Sequence, residues 1–323
     1  MVMRQSINDR ALGRDVERLR LLVLSLLLVV LGACATPVAS DKQQVVVSFY
    51  PLEYLAKRIG GDRIEVTTLV PSGVEPHDWE PSPRDIGRLQ QSKVFVYNGR
   101  GIEPWAERAL AELPDGKPVR VDASDGLDEL EAIEESGHDE AHQGEEHEGI
   151  DPHVWLDPHL YAQQAKKVRD ALVAADPQGA TMYDANLARL TTDVTTLRQD
   201  MEAGLTSCQR DTIVTSHAAF GYLAHHFNLK QVALSGLSPE AEPSPARMKE
   251  LIDEVKATGA THIFFEALVS PRVAETIAQE VGAATLVLNP LEGLTRDELA
   301  AKDDYLSVMR ENLANLRTAL GCQ

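Results

Sequence analysis

The sequence predicts an α/β protein of two lobes, each a parallel sheet flanked by helices, joined by one long rigid helix. Three observations carry this expectation. Strand-like and helix-like segments alternate through the first half of the chain, and the same alternation resumes in the second half. Between the halves lies an amphipathic helical pattern of unusual length. A length of 323 residues also suits two units of ordinary domain size. Strands that alternate with helices pair in parallel, because each helix carries the chain back across the sheet.

In the first half, residues 45–49 form a β-branched run and 52–59 follow with helical spacing. Residues 64–70 read as a second strand, 84–91 as a short helix, 94–97 as a third strand and 104–110 as a helix. In the central pattern, Tyr183, Leu187, Leu190, Val194, Leu197, Met201 and Leu205 recur at steps of four and three, the mark of one apolar helix face. Over 178–205 such a helix would be roughly 42 Å long, at about 1.5 Å per residue. That length can join two lobes and limit hinging between them. In the second half, 211–215, 231–235, 262–265 and 285–288 read as strands. Helices follow over 218–226, 246–257 and 272–281, with one last helix from 296 to 320. The expected organisation is a first lobe over 45–157, a helical region over 158–206 and a second lobe over 207–323.

Composition narrows the function. The chain is 43% hydrophobic and 25% charged, which is ordinary for a globular protein, and its formal net charge is −19. An unpatterned excess of acid repels phosphate backbones, which argues against nucleic acid as a partner. The strongly apolar stretch 21–31 is too short for an ordinary membrane span, so a multi-span membrane protein is excluded. Arg14, Arg18 and Arg20 precede that stretch, and it ends Leu31-Gly32-Ala33-Cys34. Residues 1–33 therefore read as a signal peptide. Its end resembles the lipobox of bacterial lipoproteins, in which the cysteine, here Cys34, is lipidated and becomes the new N-terminus. A core helix with a buried cysteine is the alternative. Residues 34–44 would be a tether.

Cys208 and Cys322 remain. Outside the cytoplasm an isolated pair is commonly a disulfide, which here would pin the last helix to the start of the second half; two buried thiols are the alternative. Residues 122–151 carry thirteen acids and no Lys or Arg, together with His138, His142 and His147. Such a run reads as a solvated loop, with an accessory zinc-collecting role open to it. His138 and His142 have the spacing of a zinc-protease helix, but Asp139 stands where that motif needs Glu, so a protease is rejected.

Four short segments place a metal-capable side chain beside turn residues: Glu75-Pro76-His77-Asp78, Asp151-Pro152-His153-Val154, Thr215-Ser216-His217-Ala218 and Asn289-Pro290-Leu291-Glu292. The first, third and fourth each follow an expected strand and precede a helix. Ligands of α/β sheets collect at the carboxyl ends of strands, so these loops can face one cleft between the lobes. Three imidazoles and a carboxylate suit zinc, which takes four near-tetrahedral ligands.

At these residues the sequence also resembles a known family. The lipobox, GVEPHDWEPSPRD, DPHVWLDP, TSHAAFGYL, GLSPEAEPSP and LNPLEGLT are similar to segments of the ZnuA/TroA-like (cluster A-I) solute-binding lipoproteins of bacterial zinc and manganese ABC importers. The likeness covers essentially the whole chain after the leader. It implies two α/β lobes joined by one long helix, with the metal between them. It also implies His77, His153 and His217 as ligands. His217 stands where zinc-type members carry His and manganese-type members commonly carry Glu. For the fourth ligand, many members have Asp where this chain has Asn289. The NP-EG pattern resembles members that use the nearby glutamate, so Glu292 is expected, with Asn289 or a water as fallback. Glu240, Glu242 and Glu266 match recurring motifs and are expected to support rather than ligate.

The function so implied is a monomeric, exported, lipid-anchored receptor that captures Zn2+ as cargo and hands it to an ABC permease and its ATPase subunits. Affinity would fall as the histidines protonate, below about pH 6.5. The alternatives are a manganese or iron receptor of the same class and, more remotely, a zinc hydrolase with an open fourth site. Some relatives are also proposed as host-surface adhesins.

Overall fold

The computed structural model describes residues 42–114, 116–131, 149–239 and 243–323. The leader 1–33, Cys34, the loop histidines His138, His142 and His147, and Glu240 and Glu242 lie outside the described residues.

Two four-stranded parallel sheets form the two lobes. In the first, β1 (Gln43–Val47), β2 (Ile64–Thr68), β3 (Val94–Tyr97) and β4 (Val119–Asp122) are ordered β2-β1-β3-β4. In the second, β5 (Thr212–Thr215), β6 (Lys230–Ala233), β7 (His262–Phe265) and β8 (Ala284–Val287) are ordered β6-β5-β7-β8. Both sheets have the same order of strands, so each brings the carboxyl ends of its central pair to an equivalent position. β4 was not expected from the sequence. Its four residues, Val-Arg-Val-Asp, are too short an alternation to stand out, and they become a strand by pairing with β3 at the sheet edge.

Helices α1 (Tyr50–Gly60), α2 (Pro83–Gln91) and α3 (Ala106–Ala111) connect the first sheet, and α4 (Pro158–Ala175) follows the acidic segment. The long helix is α5 (Ala180–Leu205), 26 residues, preceded by a 3-10 turn at Pro177–Gly179. Of its expected apolar face, Tyr183, Leu190, Val194, Leu197, Met201 and Leu205 are buried, and Leu187 is partly buried. α5 packs against α1 and α4 and also against the C-terminal helix. One hydrophobic core therefore runs through both lobes: Val45, Phe49, Val194, Leu197, Ile213, Phe264 and Leu316 belong to the same cluster.

The second lobe adds α6 (Gly221–His226), α7 (Pro245–Thr258), α8 (Arg272–Val281), α9 (Arg296–Ala301) and α10 (Tyr305–Leu320). The single last helix expected over 296–320 is thus two. Lys302 takes a left-handed conformation (φ 64°) at the end of α9. Asp304 then starts α10 with a capping box, its carboxylate accepting from the Ser307 N–H at 2.9 Å. Cys208 and Cys322 form a disulfide, and beside it the Gln209 N–H donates to the Leu320 carbonyl at 3.0 Å. No helix among the described residues is long and apolar enough to cross a membrane.

Candidate metal centre

His77 lies in the loop between β2 and α2, held by turns in which the Val74 N–H donates to the Pro71 carbonyl and the Trp79 N–H to Pro76. Trp79 packs edge-on against buried Trp105, with ring centroids 5.4 Å apart, which fixes the far end of the loop. His153 precedes a 3-10 turn, Val154–Leu156, whose three side chains are all buried at the start of α4. His217 follows β5 and precedes α6. Glu292 sits in the loop between β8 and α9.

These four residues converge. One donor atom from each of His77, His153, His217 and Glu292 lies within 4.8 Å of every other. Glu292 Oε1 is 3.5 Å from His77 Nε2, 3.3 Å from His153 Nε2 and 3.4 Å from His217 Nε2. The Nε2 atoms of His153 and His217 are 3.4 Å apart. Ligands about 2.0–2.1 Å from a tetrahedral ion stand about 3.3–3.4 Å from one another, so these four spacings match four of the six edges of a zinc-sized tetrahedron. Two of the donors, His77 Nε2 and Glu292 Oε1, are buried atoms with no hydrogen-bond partner, which a cation at the centre would satisfy.

The opposite sides of the imidazoles are fixed. His153 Nδ1 donates to Asp151 Oδ1 at 2.8 Å, and His217 Nδ1 donates to Glu266 Oε1 at 2.6 Å. Each carboxylate orients its ring and leaves the Nε2 lone pair facing inward. Glu266, directly after β7, is thus a support for His217, in line with its expected role. Two supports were not singled out: Asp151, and Glu75, whose Oε2 accepts the His77 N–H at 3.0 Å. The repeated acid-Pro-His of Glu75-Pro76-His77 and Asp151-Pro152-His153 was the available signal. Asp151 also lies tight against the second lobe, since a Cβ on Gly221 of α6 would collide with Asp151 Oδ2.

Charge follows from this geometry. Burial alone would lower the His217 imidazole, yet Glu266 and Glu292 hold it well above its usual range. Burial likewise opposes the charge on His153, and Asp151 and Glu292 overcome it, so its pKa is also raised. Burial would raise the Glu292 carboxyl, but the three imidazoles hold it well below the carboxylate range. For Glu75, burial reinforced by the Glu292 charge pushes the carboxyl up to about 8.

Asn289, the expected fallback ligand, is committed elsewhere. Its Oδ1 accepts the Leu291 N–H at 2.7 Å, and its Nδ2 donates to Glu298 Oε1 at 2.7 Å. Asn312 brackets its backbone, accepting from the Asn289 N–H at 2.9 Å and donating to its carbonyl at 2.7 Å. Asn289 thereby shapes the turn through Leu291, a buried non-glycine residue at φ 60°, that aims Glu292 at the histidines. Across the cleft the Trp155 indole donates to the Pro290 carbonyl at 2.7 Å, and Tyr305 Oη donates to the Trp155 carbonyl at 2.6 Å. A cavity of about 480 Å³ opens beside the cluster, lined by His77, Glu103, Glu107, Asp122 and Pro152.

Residues 45–319 match the family model described as ZnuA, zinc-uptake complex component A, periplasmic. The chain belongs to this family. The family description makes its members components of a zinc-uptake complex. It is 38% identical over 304 residues to the zinc-binding lipoprotein AdcA of Streptococcus pneumoniae, covering 93% of this chain and 60% of that protein. The chain therefore spans about three fifths of the length of that relative. It is 38% identical over 291 residues to the high-affinity zinc uptake system protein ZnuA of Bacillus subtilis, covering 87% of this chain and 88% of the relative. The crystal structure of the Zn(II)-bound ZnuA-like domain of S. pneumoniae AdcA superposes with a TM-score of 0.73 at 36% identity, covering 86% of this chain and 99% of that one. The ZnuA-like architecture of two parallel-sheet lobes and a long connecting helix is thus shared with a solved zinc-bound structure.

Proposed function

We propose that the protein is an exported, lipid-anchored zinc receptor that captures one Zn2+ between its lobes and delivers it to an ABC permease. His77, His153, His217 and Glu292 are the ligands in this reading, and Cys34 is the lipidated residue. The observation that carries it is that three imidazole nitrogens and one carboxylate oxygen converge within 4.8 Å of one another, with four of their six separations at the edge length of a zinc tetrahedron. Three nitrogen donors favour zinc over the harder manganese. Glu292 fills the position that an activated water would need in a hydrolase, which speaks against that alternative. The family's zinc-uptake description and the zinc-binding names of its relatives support the same cargo.

The test is metal content by mass spectrometry on the protein lacking residues 1–34, equilibrated with equal zinc and manganese and then desalted. One retained zinc per chain, lost in His217→Ala, is the expected result. Retained manganese overturns the cargo, and no retained metal overturns the site.

A further inference from the structure

Three side-chain atoms around the cluster are buried without a hydrogen-bond partner: His77 Nε2, Glu292 Oε1 and Glu75 Oε1. A cation at the centre accounts for the first two. The third belongs to none of the four donors. A buried carboxylate oxygen left unpaired costs free energy, which a cation passing close by would offset.

Glu75 is held in place. One oxygen, Oε2, accepts the His77 N–H at 3.0 Å, and the free oxygen, Oε1, lies 3.8 Å from His77 Nε2, the nitrogen that faces the centre. Exposure is graded across the site. The side chains of His153 and His217 are 0% exposed and that of Glu292 is 1% exposed, whereas His77 is 9% and Glu75 is 10% exposed. The way in and out therefore passes His77 and Glu75, and the neighbouring cavity also reaches His77.

We propose that Glu75 is a transient fifth ligand that receives zinc at the mouth of the site on entry and draws it out on exit. This rests on the zinc-receptor reading above. Zinc expands readily from four ligands to five, so exchange need not leave the ion short of a donor. On exit a Glu75 Oε1–zinc bond forms first, any proton on that carboxyl passing to water at the mouth of the site, and the Glu292 Oε1–zinc bond then breaks. One carboxylate replaces another, so the charge at the ion is conserved and no electron changes hands. Entry runs the same steps in reverse. A group that lowers the barrier equally in both directions speeds exchange and leaves affinity nearly unchanged.

The experiment measures zinc capture and zinc release to a chromophoric chelator by stopped flow, on the whole protein after the leader, alongside equilibrium affinity. Glu75→Gln keeps an acceptor for the His77 N–H but is a poor zinc ligand. Glu75→Asp keeps the charge and withdraws the oxygen by one methylene. Both variants are expected to slow capture and release together, each about tenfold or more, so that the two rates move by far more than the affinity does. Wild-type rates in both variants overturn the proposal. So does slow capture in Glu75→Gln alone, which would mean steering by charge, and so does faster release with weaker affinity, which would mean a resident ligand. A wild-type protein that retains no zinc defeats the receptor reading itself, whereas one that retains zinc while both variants exchange normally defeats only the role of Glu75.

Discussion

The His217 ring is gripped on its Nδ1 side by Glu266 and turns its Nε2 toward Glu292, so its protonation is tied to whatever occupies the cluster. Replacing Glu266 by Gln, or Asp151 by Asn, leaves all four donors in place but loosens one ring. Zinc affinity should drop about 10–100-fold in each case, read by chelator competition. The raised pKa values of His153 and His217 also move the expected acid sensitivity. Protons compete with zinc as pH falls through those raised values, so affinity declines from above pH 6.5 rather than only below it. Zinc binding at pH 7 should release protons, which calorimetry in buffers of different ionisation enthalpy will detect; a buffer-independent heat would contradict this. At this scale the site was partly legible. Each histidine alone was a weak signal; the three stood out because three of the chain's ten histidines fall at equivalent loop positions among turn residues. Glu266 could not be paired with His217 from sequence, since 49 positions separate them and only the adjacency of β5 and β7 brings them together.

The loop from β8 to α9 shows how a short element aims one side chain. Asn289 organises it through bonds to Leu291, Glu298 and Asn312, while Trp155 fastens Pro290 from the other lobe. Asn289→Ala removes the side-chain bonds and frees the turn at Leu291. We expect a cost of about 1–3 kcal/mol, seen as zinc affinity weakened roughly 5- to 150-fold in a chelator titration, although the residue touches no ion. Most elements could be read from hydrophobic period and turn residues, and β3, β7 and α8 fall where the pattern puts them. The break at Lys302 could not, because nothing in a lysine announces a left-handed backbone. The capping box begun by Asp304 is legible only once the break is known.

At the scale of the whole molecule, the disulfide and the candidate metal centre occupy opposite ends of the second lobe. Cys208 precedes β5, whereas His217, Glu266 and Glu292 follow the carboxyl ends of β5, β7 and β8. Cys208→Ser with Cys322→Ser should lower stability by about 2–4 kcal/mol in denaturant unfolding, because the link spans 114 positions, and leave zinc affinity as it was. The continuous core along α5 bears on a different use of this scaffold. A fluorescent zinc reporter made by placing dyes at the outer tips of the two lobes would stay dark to its analyte, because a helix packed into both lobes keeps those tips at one separation. The signal is to be found at the 71–79 and 289–295 segments, where a single environment-sensitive label would report what a pair of distant dyes could not.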